Sequence, residues 1–206
     1  MASHWTAYLC LFAAALVTTL ATTPLARRIA VAVDAVDYPN KRRINRKPIP
    51  RMGGIAIFCG IVAAFVVQYL GTTYLRWPAV LVPSPKLQVD YWLLVLAFLV
   101  IFFTGLLDDR YSLKPLQKLA GQVLAATLAV AGGLVIGDIS NPFVPGFLSL
   151  GWLAYPITVL YLVAYTNIIN LIDGLDGLAV GVSAISTASL IVVALMVKEV
   201  NIAVTL

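Results

Sequence analysis

Three short stretches set acid, amide and basic side chains between long apolar runs. The first is NIINLIDGLDGL, Asn167–Leu178. Asn167, Asn170, Asp173 and Asp176 recur every three residues, so neighbours in the row share a helix face. In an ideal α-helix the row drifts by about 60° per step, and all four align only where the turn tightens toward a 3-10 helix. Gly174 and Gly177 follow the aspartates and let backbone approach a ligand closely. A polar turn between two spans is the plain alternative, but such turns do not usually repeat DGxDG with asparagines in register. The second stretch is GLLDDRYSLKPLQKLAGQ, Gly105–Gln122. Asp108 and Asp109 end an apolar span, where the helix dipole disfavours an anion by up to about 1 kcal/mol, and they also repel each other. A cation offsets both costs; the plain alternative is a solvated span end, for which Lys or Arg would be the easier choice. With oxygen ligands and no His or Cys nearby, that cation is Mg²⁺, with Mn²⁺ as the alternative. Lys118 and Gln122, at i and i+4, share a helix face. Lys118 reaches a phosphate as a point charge, or serves only as a basic flank. The third stretch is DYPNKRRINRKPIPRMGG, Asp37–Gly54. Its prolines stiffen it, and Arg43 and Arg51 are its candidate substrate-binding cations. Attraction to anionic lipid, about 1 kcal/mol per basic residue, accounts for the charge. It does not account for the Pro-x-Pro-Arg-x-Gly-Gly ending, which reads as a rigid turn facing a phosphate.

These stretches need elements to hold them. The chain of 206 residues is 61% hydrophobic and 11% charged, with mean hydropathy +0.96. A soluble domain is about 25% charged, so the composition is that of an integral membrane protein. Six runs approach the roughly 20 apolar residues a bilayer needs: Trp5–Thr23, Gly53–Leu70, Tyr91–Leu107, Leu119–Ile136, Leu148–Tyr165 and Leu178–Val197. The expectation is an all-α, multi-pass transmembrane helical bundle of six spans, one domain over residues 1–206, with Pro156 kinking the fifth span. The first run lacks a basic n-region and reads as a retained span. Cys10 and Cys59 lie in apolar runs, with no disulfide framework and no CxxC pair.

Orientation follows from Lys and Arg. Eight of the fourteen fall in loop 25–52 and three in loop 108–118. Only Arg76, Lys86 and Lys198 fall elsewhere. Loops 25–52, 108–118 and 166–177 are therefore expected in the cytoplasm and the N-terminus outside, with Trp5, Trp77, Trp92 and Trp152 near outer span ends. Six of the nine acids share the cytoplasmic loops. A transporter more often carries ionisable groups at the midplane, whereas no run here contains one. RNA binding lacks the aromatic platforms it uses.

Together, "DxPNxRR…PxPRxGG", "GxxDDxxxLKPxxKLxGQ" and "NxxNxxDGLDGLAxG" resemble, in order and over about residues 33–185, the polyprenyl-phosphate N-acetylhexosamine-1-phosphate transferases. The Pro-Arg-Met-Gly-Gly form is closer to the N-acetylglucosamine branch than to the MurNAc-pentapeptide branch. The resemblance implies a cell (inner) membrane enzyme that moves a sugar 1-phosphate from a UDP-sugar, UDP-N-acetylglucosamine or a close relative, to undecaprenyl or another polyprenyl phosphate. UMP is released and Mg²⁺ is required, at an early step of cell-envelope polysaccharide synthesis. It implies catalytic roles for Asp108, Asp109, Asp173 and Asp176, metal binding by Asp108 and Asp109, and substrate binding by Lys118, Asn167, Asn170, Gly174, Gly177, Arg51 and Arg43. Asn45 departs from the family's usual His. The family also carries further spans, another metal-binding aspartate and a histidine-rich loop, so this chain is expected to be the N-terminal part of a larger transferase. No nucleic-acid partner is expected, and a homodimer is left open. The competing readings are a transporter of a small solute or lipid, a phosphotransferase of the CDP-alcohol class, and an inactive fragment. The CDP-alcohol class places Ala-Arg after its first Asp-Gly, where this chain has Leu175-Asp176.

Overall fold

A computed structural model describes residues 2–39, 47–75, 77, 89–140, 146–174 and 177–196. Among the described residues there are six α-helices: α1 Ala2–Ala32, α2 Gly54–Tyr74, α3 Tyr91–Tyr111, α4 Pro115–Ala131, α5 Ala154–Ile172 and α6 Leu178–Met196. Two short antiparallel ribbons join them, β1 Val36–Asp37 with β2 Ile49–Pro50, and β3 Asp138–Ser140 with β4 Phe147–Ser149. The fold is that of a helical membrane protein. Among the described residues four helices are long and apolar enough to cross a bilayer, within Thr6–Ala32, Gly54–Tyr74, Tyr91–Tyr111 and Gly151–Ile172. The apolar stretch of α6, Leu178–Val193, is shorter. So is α4, whose 17 residues rise about 25 Å.

The chain forms two compact units. One comprises Met1–Pro83, Gly105–Leu113 and Ala194–Leu206, and the other Ser84–Thr104 and Lys114–Val193. In the first unit α1 packs on α2. Gly60 permits the close approach, because a Cβ there would lie 2.9 Å from the Ala15 carbonyl oxygen and would clash with Thr19. Small residues at such crossings let backbones meet where lipid supplies no hydrophobic drive. Below the crossing, Ala30, Ala35 and Met52 form a buried cluster, with Ile29, Val33, Ile55 and Leu106 against it.

In the second unit α4 packs on α5. Thr158 is 2% exposed. Its hydroxyl donates to the Ala154 carbonyl at 2.6 Å and accepts the Ile136 N–H at 2.9 Å, which ties the chain leaving α4 to the start of α5. Asp90 caps α3, its Oδ1 accepting the N–H groups of Trp92 and Leu93 at 2.9 and 3.2 Å. That satisfies two of the orphan donors at a helix start. Trp92 and Trp152 are exposed, while Trp77 packs against Gly71.

Several expected boundaries shift. The loop expected at 25–52 begins inside α1, which continues through Arg27 and Arg28 to Ala32. Nothing in Ala-Arg-Arg-Ile-Ala breaks a helix, and the turn comes at Asp34, whose φ is 56°. The loop expected at 108–118 narrows to residues 112–114, because Asp108 and Asp109 belong to the last turn of α3 and Lys118 to the first turns of α4. The loop expected at 166–177 loses Asn167 and Asn170 to α5. The fifth run expected at Leu148–Tyr165 opens on β4 and a 3-10 turn, Gly151–Leu153. Pro156 sits in the first turn of α5, where its missing N–H has no intrahelical partner to lose. There its ring costs the helix no hydrogen bond, which removes the expected cause of a kink.

Candidate functional site

In the first unit the two motifs DYP and PIPRMGG meet as a ribbon. Val36 pairs with Pro50 and Asp37 with Ile49, and the Arg51 N–H donates to the Ala35 carbonyl at 2.9 Å. Met52 follows in the left-handed region, φ 60°, and is 5% exposed. Its N–H donates to Asp109 Oδ2 at 3.0 Å. The turn before α2 is therefore fastened to the end of α3 by one of the candidate catalytic carboxylates. Asp108 is also engaged at that end: its Oδ1 accepts the Leu113 N–H at 3.1 Å, and Ser112, at φ 48°, donates its N–H to the Asp108 carbonyl at 2.8 Å. These bonds absorb part of the cost of two anions at a helix C-terminus. At the other side of the ribbon the Tyr38 hydroxyl donates to Asp34 Oδ1 at 3.0 Å. That hydrogen bond, and then the Asp34 charge, raise the Tyr38 phenol above its ordinary value. Arg51 is half-buried; Arg43 lies outside the described residues.

In the second unit the LKPLQKLAGQ and NxxN motifs face each other across α4 and α5. Pro115 occupies the first position of α4, and the Lys114 N–H donates to Gln117 Oε1 at 3.1 Å. Two rungs then cross to α5. Lys118 Nζ donates to Asn170 Oδ1 at 2.8 Å. Gln122 and Asn167 form a reciprocal amide pair, Asn167 Nδ2 donating to Gln122 Oε1 at 2.7 Å and Gln122 Nε2 to Asn167 Oδ1 at 3.4 Å. Gln122 is 3% exposed and is among the residues lining a cavity of about 240 Å³, most of them apolar side chains of α3, α4 and α5. The i, i+4 spacing to Lys118 is the sequence signal for Gln122, but its burial and its partner follow only from the packing of α4 on α5.

The tightening toward a 3-10 helix that would align the whole row is absent through Ile172. α5 stays α-helical through Ile172, and Asp173 caps it at φ −75°, ψ 51°, exposed to solvent. Asp176 lies outside the described residues. Gly177 has φ +79°, a conformation that favours glycine. Gly174 is not at positive φ, and a Cβ there would meet nothing within 4 Å, so neither backbone nor packing among the described residues requires glycine at that position.

Among the described residues no three of His, Cys, Asp and Glu gather as metal ligands. This donor set still fits Mg²⁺, which is usually held by one or two carboxylates together with substrate phosphates and water. Asp108 and Asp109 provide two carboxylates. Because one backbone hydrogen bond engages one of a carboxylate's two oxygens, the bonds to Met52 and Leu113 do not by themselves exclude a cation.

The family model described as glycosyl transferase family 4 matches residues 91–206. A probable undecaprenyl-phosphate N-acetylglucosaminyl 1-phosphate transferase of Bacillus subtilis is 42% identical over 184 residues, 89% of this chain and 47% of that protein. A decaprenyl-phosphate N-acetylglucosaminephosphotransferase of Mycobacterium tuberculosis is 36% identical over 86% of this chain and 42% of its own length. An undecaprenyl-phosphate alpha-N-acetylglucosaminyl 1-phosphate transferase of Yersinia pestis is 32% identical over 79% and 40%. The chain thus spans less than half the length of each of these relatives. No solved structure matches it significantly.

Proposed function

The chain belongs to glycosyl transferase family 4, and from that membership we propose that its protein transfers N-acetylglucosamine 1-phosphate from a UDP-sugar to a polyprenyl phosphate. In the balanced step an oxygen of the polyprenyl phosphate attacks the phosphorus next to the sugar. A new P–O–P bond forms, the bond between the two phosphates of the UDP-sugar breaks, and UMP leaves with that electron pair. The nucleophile is already an anion, so positioning and charge neutralisation carry most of the catalysis. The observation that carries the proposal is the pairing of Lys118 with Asn170 beside that of Gln122 with Asn167. It joins two motifs, read separately, on facing helices, and brings together an ammonium and amides, groups whose chemistry suits a phosphate and a nucleotide.

In this reading Lys118 binds phosphate, Asn167, Asn170, Asp173 and Asp176 accept hydrogen bonds from base and ribose, and Arg43 and Arg51 add positive charge. Asp108 and Asp109 hold Mg²⁺, which when bound neutralises phosphate charge. The motif-bearing ends face the cytoplasm and the N-terminus faces out, so the protein meets a nucleotide sugar at the inner face of the cell membrane.

The test is a transfer assay on membranes containing the protein, with labelled UDP-N-acetylglucosamine and undecaprenyl phosphate. Lipid-linked sugar diphosphate and UMP should form in equal amounts, stop with a chelator and resume with Mg²⁺. Release of UDP in place of UMP would refute the reaction, and undiminished transfer in chelator would refute the role of the metal.

A further inference from the structure

Gln122 is buried, polar and assigned no role by the reaction proposed above. Its surroundings fix its orientation. Asn167 Nδ2 donates to the Val163 carbonyl at 2.8 Å as well as to Gln122 Oε1 at 2.7 Å. A primary amide has two N–H groups, so these bonds use both. Asn167 Oδ1 is thereby turned toward Gln122 and receives its Nε2. The backbone of α5 sets the Asn167 amide, and that amide sets Gln122. The arrangement has a direction: reversing either amide would set donor against donor.

The same pairing sets register. Lys118 to Gln122 spans about 6 Å along α4, and Asn170 to Asn167 about 4.5 Å along α5. The helices run antiparallel at this pairing, and the long lysine side chain takes up the difference. A slide of α4 by one residue, or a turn about its axis, would part both rungs together. Ala125, Ala126 and Ala129 continue the buried face of α4, and such small side chains give a slide little directional resistance; Gly121 against Thr104 and the Ile136–Thr158 hydrogen bond limit it at other points. The amide pair resists it, because a misplaced buried amide has no water to replace its partner.

We propose that Gln122 is a positioning residue: its reciprocal amide pair with Asn167 fixes the register of α4 on α5 and so holds the Lys118 ammonium beside Asn170. That the held ammonium serves an anionic substrate rests on the function proposed above. The register itself does not.

The test uses Gln122→Met, which keeps length and volume but removes both amide groups, and Gln122→Glu, which keeps one acceptor and loses the donor. Lys118 is acylated in a short pulse in the intact protein, and its labelling is measured by mass spectrometry against Lys114 of the same molecule. Gln122→Met should raise the Lys118/Lys114 ratio about tenfold, the factor that corresponds to losing one hydrogen bond to a charged group, and Gln122→Glu should also raise it. A ratio unchanged in whichever variant folds overturns the proposal, whatever the protein's activity. Where the protein transfers sugar phosphate, Gln122→Met should raise KM for polyprenyl phosphate about tenfold with little change in kcat. It should add nothing in a Lys118→Met background. An effect that persists in that background overturns the claim that Gln122 acts through Lys118. A raised labelling ratio with unchanged KM supports the register and refutes the assignment of Lys118 to the substrate.

Discussion

Asp109 holds two readings at once, as a metal-binding carboxylate and as the acceptor that fastens the turn before α2. Replacing it separates them. The Met52 N–H donates to Asp109 Oδ2 at 3.0 Å, and a hydrogen bond to a charged group contributes about 1.5–3 kcal/mol. Met52 sits at φ 60°, which costs a side-chain-bearing residue about 1–2 kcal/mol. The bond and the strain are of similar size, so the Asp109 bond offsets the strain, while the burial of Met52 and the Arg51–Ala35 hydrogen bond also hold the turn. Asp109→Ala should cost about 2 kcal/mol of local stability, which is about a thirtyfold increase in the open population. Asp109→Asn leaves an amide oxygen in place and forfeits only the charge, about 1 kcal/mol or fivefold. The assay is trypsin cleavage after Arg51, the residue whose carbonyl carbon joins the Met52 nitrogen, followed by mass spectrometry under conditions where opening is fast relative to cleavage. Cleavage should accelerate about thirtyfold in Asp109→Ala and about fivefold in Asp109→Asn. An Asp109→Ala rate within twofold of wild type would refute the fastening role. If Asp109 also holds the metal, Asp109→Asn should lose turnover and need more Mg²⁺ despite its nearly closed turn. Wild-type Mg²⁺ dependence in that variant would remove the metal assignment.

Three further outcomes are expected. Single cysteines at Ser112 and Gly174, in a background without Cys10 and Cys59, should react with an impermeant reagent only from the cytoplasmic side; labelling of Ser112 from outside would overturn the orientation drawn from the basic residues. Asp173→Asn and Asp176→Asn should each weaken UMP binding about tenfold by calorimetry, with and without Mg²⁺; unchanged UMP affinity with lost turnover would move that aspartate from nucleotide binding to the chemical step. Tyr38 should titrate above 10.0, seen as phenolate absorbance in wild type minus Tyr38→Phe, and Asp34→Asn should bring it down. Because folding raises this pKa, the contact's contribution to stability is fully present below the ordinary tyrosine value and is lost as pH rises through the folded value; a Tyr38 midpoint at or below 10.0 would contradict the Asp34 contact.

The apolar runs alone determined that this is a helical membrane protein, because a segment without ionisable groups has no low-energy place in water and one helical way to satisfy its backbone in lipid. The order of DyPN, PRxGG, DD, LKP and NxxNxxDG likewise carried the family. Spacing also put Lys118 and Gln122 on one helix face, since i, i+4 proximity is local geometry. Other features were decided only by tertiary structure. α1 runs on through Arg27 and Arg28 because helix propensity and hydropathy are different properties, and a span's apolar limit is not its helical limit. Pro156 costs α5 no hydrogen bond because a 3-10 turn precedes it and delivers it to the helix start. Asp109 meets Met52, and Gln122 meets Asn167, across 57 and 45 residues of chain. No periodicity encodes such a pairing. It exists because α3 ends beside the turn that opens α2, and because α4 packs on α5 with Gln122 opposite Asn167.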